Sequence, residues 1–193
     1  MPEIYFDNGA TTRVFPEVRE LMSEVLDIEY GNPSSMHLKG YHAEQYVNRA
    51  KEEIARSLKV EPKEIYFTSG GTEANNLALI GTAMAHKRTG KHIITSCIEH
   101  ASVYNPLGFL EEEGFEVTYL PVDEKGIVSL EALEKALRPD TFLVSIMCVN
   151  NEIGAVEPIE EIGRIVKKYN PEILFHTDCI QAYGKMKLFP KKW

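Results

Sequence analysis

The sequence predicts an α/β fold, a mostly parallel sheet flanked by helices, and three observations predict it. Short runs rich in β-branched and aromatic residues alternate with stretches of helical spacing, the arrangement that builds parallel βαβ units. The run from Phe142 to Val149 is apolar at nearly every position instead of alternating, as a strand covered by helices on both faces requires. Polar residues stand immediately after the strand-like runs, where open α/β sheets bind their ligands.

Each element rests on named positions. The first forty residues hold one short strand-like run and one helix before a turn-rich GNPSS segment, and they are expected to pack outside the main sheet. Pro16 to Asp27 is expected to be helical, because Val18, Leu21, Met22, Val25 and Leu26 recur at i, i+3, i+4, i+7 and i+8 and Pro16 suits a first turn. Ala43, Val47, Ala50, Ile54 and Leu58 form a similar stripe in the next helix. Glu64 to Thr68 (EIYFT) reads as the first core strand, followed by a helix from Glu73 to Lys87 and a second strand from His92 to Ser96 (HIITS). Ser102 to Glu113 has helical spacing, against which Pro106 counts unless it lies in the first turn. Phe115 to Leu120 (FEVTYL) is the next strand, and Ser129 caps a helix that runs to Leu137. Thr141 to Val149 (TFLVSIMCV), a helix from Pro158 to Tyr169 and a strand from Glu172 to Thr177 (EILFHT) complete the pattern.

Composition narrows the function. The 193 residues, 44% hydrophobic and 26% charged, are those of a soluble globular protein with one domain or a large piece of one. A net charge of -8 and a pI near 5.3 leave no basic footprint for nucleic acid, though one phosphorylated small molecule needs only local positive potential. No apolar run approaches the roughly 18 residues of a membrane span. Met1 to Asn8 holds two acids and no basic apolar leader, so the cytoplasm is the expected compartment and no membrane partner is expected. Cys97, Cys148 and Cys179 show neither a CxxC pair nor zinc-site spacing, so no disulfide and no metal is expected. They read as reduced, mostly buried thiols, with a thiol cluster near the pocket as the alternative.

The residues after the strands point to chemistry. Ser69-Gly70-Gly71-Thr72 joins a strand to a helix. Two glycines let a ligand approach the backbone there, the first free amides of the helix favour a phosphate, and the Thr72 hydroxyl adds a donor. The competing reading is a tight turn, and neither GxxxxGK[ST] nor GxGxxG occurs. Glu99-His100, Asn150-Asn151-Glu152, and Asp178 with Gln181 follow the later strands. An aromatic ring, an amide and a carboxylate at neighbouring strand ends suit a heterocyclic cofactor. A buried Asp178 facing a pyridine nitrogen would keep it protonated, and a protonated ring is an electron sink for a carbanion. Taken singly, Asp178 could cap a turn and His100 could be an ordinary histidine.

Together these segments resemble the NifS-like cysteine desulfurases, class V enzymes of the fold-type I pyridoxal 5'-phosphate (PLP) group. The matching segments are IYFDNGATT (Ile4 to Thr12), YGNPSSMH (Tyr30 to His37), FTSGGTEANNLAL (Phe67 to Leu79), IEHASV (Ile98 to Val103), VNNEIGAVEPIEEI (Val149 to Ile162) and HTDCIQAYGK (His176 to Lys185). The resemblance implies that Gly71 and Thr72 hold the PLP phosphate and that His100 stacks on the ring and assists proton transfer. It also implies that Asn151 and Gln181 bond the ring's phenolic oxygen or its neighbourhood, that Asp178 pairs with the ring nitrogen, and that Ala10 and Thr11 lie near the substrate. Residues 1–15 would then be a substrate-side segment and residues 16–193 a partial PLP-binding large domain, its remainder and the small domain lying outside this sequence. The implied reaction removes sulfur from L-cysteine to give alanine and an enzyme persulfide, for iron-sulfur cluster assembly or tRNA thiolation through a sulfur acceptor or scaffold protein. A homodimer is implied for the full-length protein.

The departures define the alternatives. The family's Schiff-base lysine, in a Ser-x-His-Lys segment, and its nucleophilic cysteine match no residue here, and Lys185 corresponds to a different position. The chain by itself is therefore expected to be inactive. Cys179 stands where alanine is common, and Gly9 where asparagine is common. A selenocysteine lyase, a class V aminotransferase, or an inert truncated domain are the rival readings.

Overall fold

The computed structural model describes residues 4–88 and 90–193, in two compact units that divide between Tyr66 and Phe67. In the first unit, α1 (Pro16–Asp27) has the expected bounds, with Pro16 in its first turn. Its apolar stripe lies open: Val18, Leu21, Met22 and Leu26 are exposed and no residue of the helix is buried. The second helix, α2 (Leu38–Leu58), starts ahead of the expected stripe because His37 caps it, Nδ1 accepting from the Gly40 amide at 3.3 Å. It ends at Lys59, whose φ of 56° reverses the chain.

The second unit runs α3 (Gly71–His86), β1 (His92–Ser96), α4 (Ala101–Glu112), β2 (Glu116–Leu120), α5 (Leu130–Ala136), β3 (Thr141–Ser145), α6 (Ile159–Tyr169) and β4 (Leu174–His176). The four strands form one sheet in the order β2-β1-β3-β4, and every neighbouring pair is parallel. The crossover through α4 moves the chain from β1 to β2, whereas the crossovers through α5 and α6 move it the other way, past β1 to β3 and then to β4. Parallel crossovers are right-handed, so α4 covers one face and α5 and α6 the other. The α4 face is closed by α3: Leu79, Ala83, Val103, Leu107 and Leu110 pack with Ile93, Phe115, Phe142 and Leu143. Full burial of each such Leu or Ile contributes roughly 1.5–3 kcal/mol. Leu133, Ile159, Ile162 and Val166 are buried on α5 and α6.

A buried histidine ties the strands at the opposite end from the ligand rim. His92 bonds Thr141 Oγ1 through Nδ1 (2.7 Å) and Thr118 Oγ1 through Nε2 (2.8 Å), bridging both neighbours of β1. Burial lowers its pKa. Just before it, a Cβ on Gly90 would lie 2.4 Å from the Asp140 carbonyl oxygen. Gly90→Ala is therefore expected to destabilise the fold by about 1–3 kcal/mol, read as a lower urea midpoint at unchanged slope.

Three expectations are corrected. Glu64 to Thr68 is not a strand: Glu64 closes a 3-10 turn with Glu61, and from Ile65 (φ -96°, ψ 124°) the backbone is extended but pairs with no strand among the described residues. Apolar, β-branched composition prescribes extension, and a ladder also needs a neighbour. The run Thr141 to Val149 is a regular strand only as far as Ser145. Beyond it the Ile146 and Cys148 amides donate to His176 and Asp178 carbonyls, and Val149 pairs back antiparallel with Val156. Pro106 lies past the first turn of α4, yet the helix continues through it to Glu112, with Pro106 among its buried residues.

Candidate active site

The direction of the crossovers reverses between β1 and β3, and the crevice beyond the carboxyl ends of such strands is where open α/β sheets take ligands. Glu99 braces this crevice. Its Oε1 accepts from Ser96 Oγ (2.6 Å) and from the Met147 amide (2.9 Å), joining the end of β1 to the end of β3. Burial pushes the Glu99 carboxyl up to about 7, and its Oε2 is buried with no hydrogen-bond partner. Asn150 adds a second brace, donating to the Ile98 carbonyl (2.9 Å) and accepting from the Glu152 and Ile153 amides.

His100 follows as the N-cap of α4. Its Nδ1 lies 3.1 Å from the Ser102 amide and 2.8 Å from Ser102 Oγ. At the end of β4, Asp178 is nine-tenths buried and accepts on both oxygens, from the Ile180 amide at Oδ1 (2.9 Å) and from Asn75 Nδ2 at Oδ2 (2.8 Å). Asp178 thus caps its turn and also reaches across to α3. The same Asn75 nitrogen donates to Ser102 Oγ (2.9 Å), so Asp178, Asn75, Ser102 and His100 form one continuous chain of hydrogen bonds. The start of α3 comes to the same place: a Cβ on Gly71 would meet Ile180 Cδ1 at 3.0 Å. No side chain caps α3, and nothing stands within 4 Å of the Cβ direction at Gly70, so the helix opens its first amides outward. Thr72 and His100 line one open cleft of about 380 Å³, with Asn76, Ile80, Ala101 and Phe109.

Gly71, Thr72, His100 and Asp178 are therefore brought together. Gln181 follows Ile180 directly, and its Oε1 accepts from Lys185 Nζ (3.0 Å). Asn151 occupies the turn after β3, its amide bonded to Glu152 Oε1 (2.8 Å) and to none of the other site residues. Ala10 and Thr11 belong to the first unit, where their amides donate to the Asp7 carbonyl.

Two participants were not foreseen, Asn75 and Ser102. Asn75 opens the buried i, i+4, i+8 row of α3 that continues with Leu79 and Ala83, and a polar residue in such a row is the signal that could have found it. The thiol expectation is corrected in one place: Cys148 is buried and Cys179 half-buried, but Cys97 is exposed. Cys148 and Cys179 lie together, and their mutual hydrogen bond, with burial, pushes the Cys179 thiol up. On β4, beside Ser145 of β3, burial lowers His176 to about 4, and its Nδ1 lies 2.8 Å from Ser145 Oγ.

Comparison with known proteins adds four findings. The class-V aminotransferase family matches residues 4–193. A mitochondrial cysteine desulfurase of Arabidopsis thaliana is 51% identical over 191 residues, which is 98% of this chain and 42% of that protein. Among solved structures, a NifS-like protein superposes with a TM-score of 0.95 at 46% identity, covering 98% of this chain and 52% of the other. SspA in complex with cysteine does so with a TM-score of 0.93 at 42% identity, covering 97% and 54%. The chain spans about half the length of the relatives it matches.

Proposed function

The chain belongs to the class-V aminotransferase family, and from that premise we propose that it is the PLP-binding part of a cysteine desulfurase. The observation that carries the reading is the hydrogen-bonded chain from Asp178 through Asn75 and Ser102 to His100, set beside the open start of α3. The donor set fits the cofactor: uncapped helix amides and a hydroxyl suit its phosphate, and a buried carboxylate suits its ring nitrogen. PLP, when bound, supplies a protonated ring that draws electrons from the substrate's α-carbon.

In this reading Gly71 and Thr72 hold the phosphate, and Asp178 keeps the proton on the ring nitrogen. His100 lies against the ring and moves a proton through Nε2. Asn151 and Gln181 give up Glu152 and Lys185 and turn their amides to the ring's oxygen. The substrate is L-cysteine, the products are alanine and a protein-bound persulfide, and the sulfur passes to an acceptor or scaffold protein for iron-sulfur cluster or thiolated-tRNA assembly. The full-length product works as a cytoplasmic homodimer, and this chain alone holds PLP without turnover. Among the described residues, no helix is long and apolar enough to cross a membrane.

Titration of the chain with PLP tests the reading. A saturable visible circular-dichroism band is expected, because a ring fixed against protein becomes optically active. No induced band at any PLP concentration would overturn the cofactor assignment, and full-length product that releases no alanine from L-cysteine would overturn the reaction.

A further inference from the structure

We propose that Asn75 is a positioning residue that couples Asp178 to His100 and fixes the proton of His100 on Nε2. Its functional meaning rests on the PLP reading, while its geometry stands on the bonds themselves. Asp178 Oδ2 is an acceptor, so the atom of Asn75 that faces it at 2.8 Å is the amide nitrogen. That nitrogen has a second hydrogen, and it points to Ser102 Oγ at 2.9 Å. A hydroxyl that accepts there turns its own hydrogen onward, and the next atom is His100 Nδ1 at 2.8 Å. The Ser102 amide is directed at the same nitrogen from 3.1 Å. A ring nitrogen that receives two donors holds no proton, so the hydrogen of His100 sits on Nε2, the nitrogen that the Ser102 bonds leave free.

Few side chains could do this at a position only 5% exposed. Aspartate would set a second carboxylate against Asp178, serine is too short to span two partners, and leucine would leave both Ser102 and Asp178 short of a donor. The asparagine amide has two hydrogens on one atom and satisfies two acceptors on different elements at once, one on α4 and one after β4. The partners lie 27 and 103 positions away in the chain, so one side chain from α3 fixes the relative placement of the other two elements.

The test reads the His100 ring nitrogens by long-range proton–nitrogen correlation in the nitrogen-15-labelled full chain, with His100→Gln providing the assignment. The wild type is expected to show an unprotonated Nδ1 and a protonated Nε2. In Asn75→Asp the new carboxylate draws the Ser102 hydroxyl toward itself, so the Nδ1 resonance shifts and PLP affinity falls by about three- to tenfold, the loss of one net hydrogen bond. Ser102→Ala removes the relay at its other end and leaves Asn75 on Asp178, so the Nδ1 resonance shifts again with a smaller change in PLP affinity. That variant also keeps the test decisive should Asn75→Asp fail to fold. A protonated Nδ1 in the wild type, or an Nδ1 resonance that Asn75→Asp or Ser102→Ala leaves in place, would overturn the proposal. Failure of the PLP reading is separate: a wild-type chain that takes up no PLP ends that reading, while the ring resonances, recorded without cofactor, still decide the role of Asn75.

Discussion

Asp178→Ala is expected to weaken PLP binding by about 10- to 100-fold. A hydrogen bond to a charged partner contributes about 1.5–3 kcal/mol, and each 1.4 kcal/mol is tenfold in affinity. The effect is expected to be larger than that of any phosphate-side change, because the start of α3 offers several donors and Asp178 is a single nine-tenths-buried carboxylate. The same variant strips acceptors from Asn75 and from the Ile180 amide, so part of the loss is a loosened turn after β4. Equilibrium titration monitored by induced circular dichroism separates the two: a saturable band of normal shape at higher PLP concentration reports lost affinity, and a band of altered shape reports a displaced ring. An affinity within threefold of wild type would contradict the placement of Asp178 at the ring nitrogen.

Stability against pH is expected to show two opposing slopes of about 3 kcal/mol each. Glu99 is raised from the usual 4.5 to about 7, so its folded state favours the protonated carboxyl. Its contribution is complete below 4.5 and is lost as pH rises through 7. His176 is lowered from 6.5 to about 4, so its folded state favours the neutral ring. Its contribution is complete above 6.5 and is lost as pH falls through 4. The windows overlap between 4.5 and 6.5, where the two slopes offset one another. Glu99→Gln keeps the acceptor for Ser96 and Met147 and removes the titration, so its urea midpoint should climb with pH across that window. His176→Asn should do the reverse. A Glu99→Gln profile that superimposes on the wild type would show that Glu99 titrates alike in the folded and unfolded chain, and would contradict its raised pKa.

Local pattern reached the elements whose causes are local. The stripe of α1, the bounds of β1 and the Ser129 cap all follow from residues within a turn or two of one another. The strand expected at Glu64 to Thr68 failed because pairing depends on a neighbour that composition does not name, and the long run after Thr141 kept its burial while losing its regular ladder. At the site, Thr72, His100 and Asp178 were legible as polar residues at element ends, and Gly71 as a glycine opening a helix. Asn75 and Ser102 were not, since the bonds that give Asn75 its meaning reach partners 27 and 103 positions distant. Asn151 and Gln181 were also legible as polar residues after strands, their roles came from the resemblance, and each holds a neighbour of its own, Glu152 and Lys185.

The strand order has a kinetic corollary. No two strands of the sheet are joined by a hairpin, and β1 meets β3 along a ladder that begins where His92 pairs with Thr141, 49 positions on. Such non-local pairing slows the search for the native topology, since a long loop must close before any contact rewards it. The Asn75 contact with Asp178 spans more than twice that separation and carries a correspondingly larger loop-closure cost. The bonds across the rim of the sheet therefore depend on long loops having closed, so a ligand held there is expected to slow unfolding more than it speeds folding.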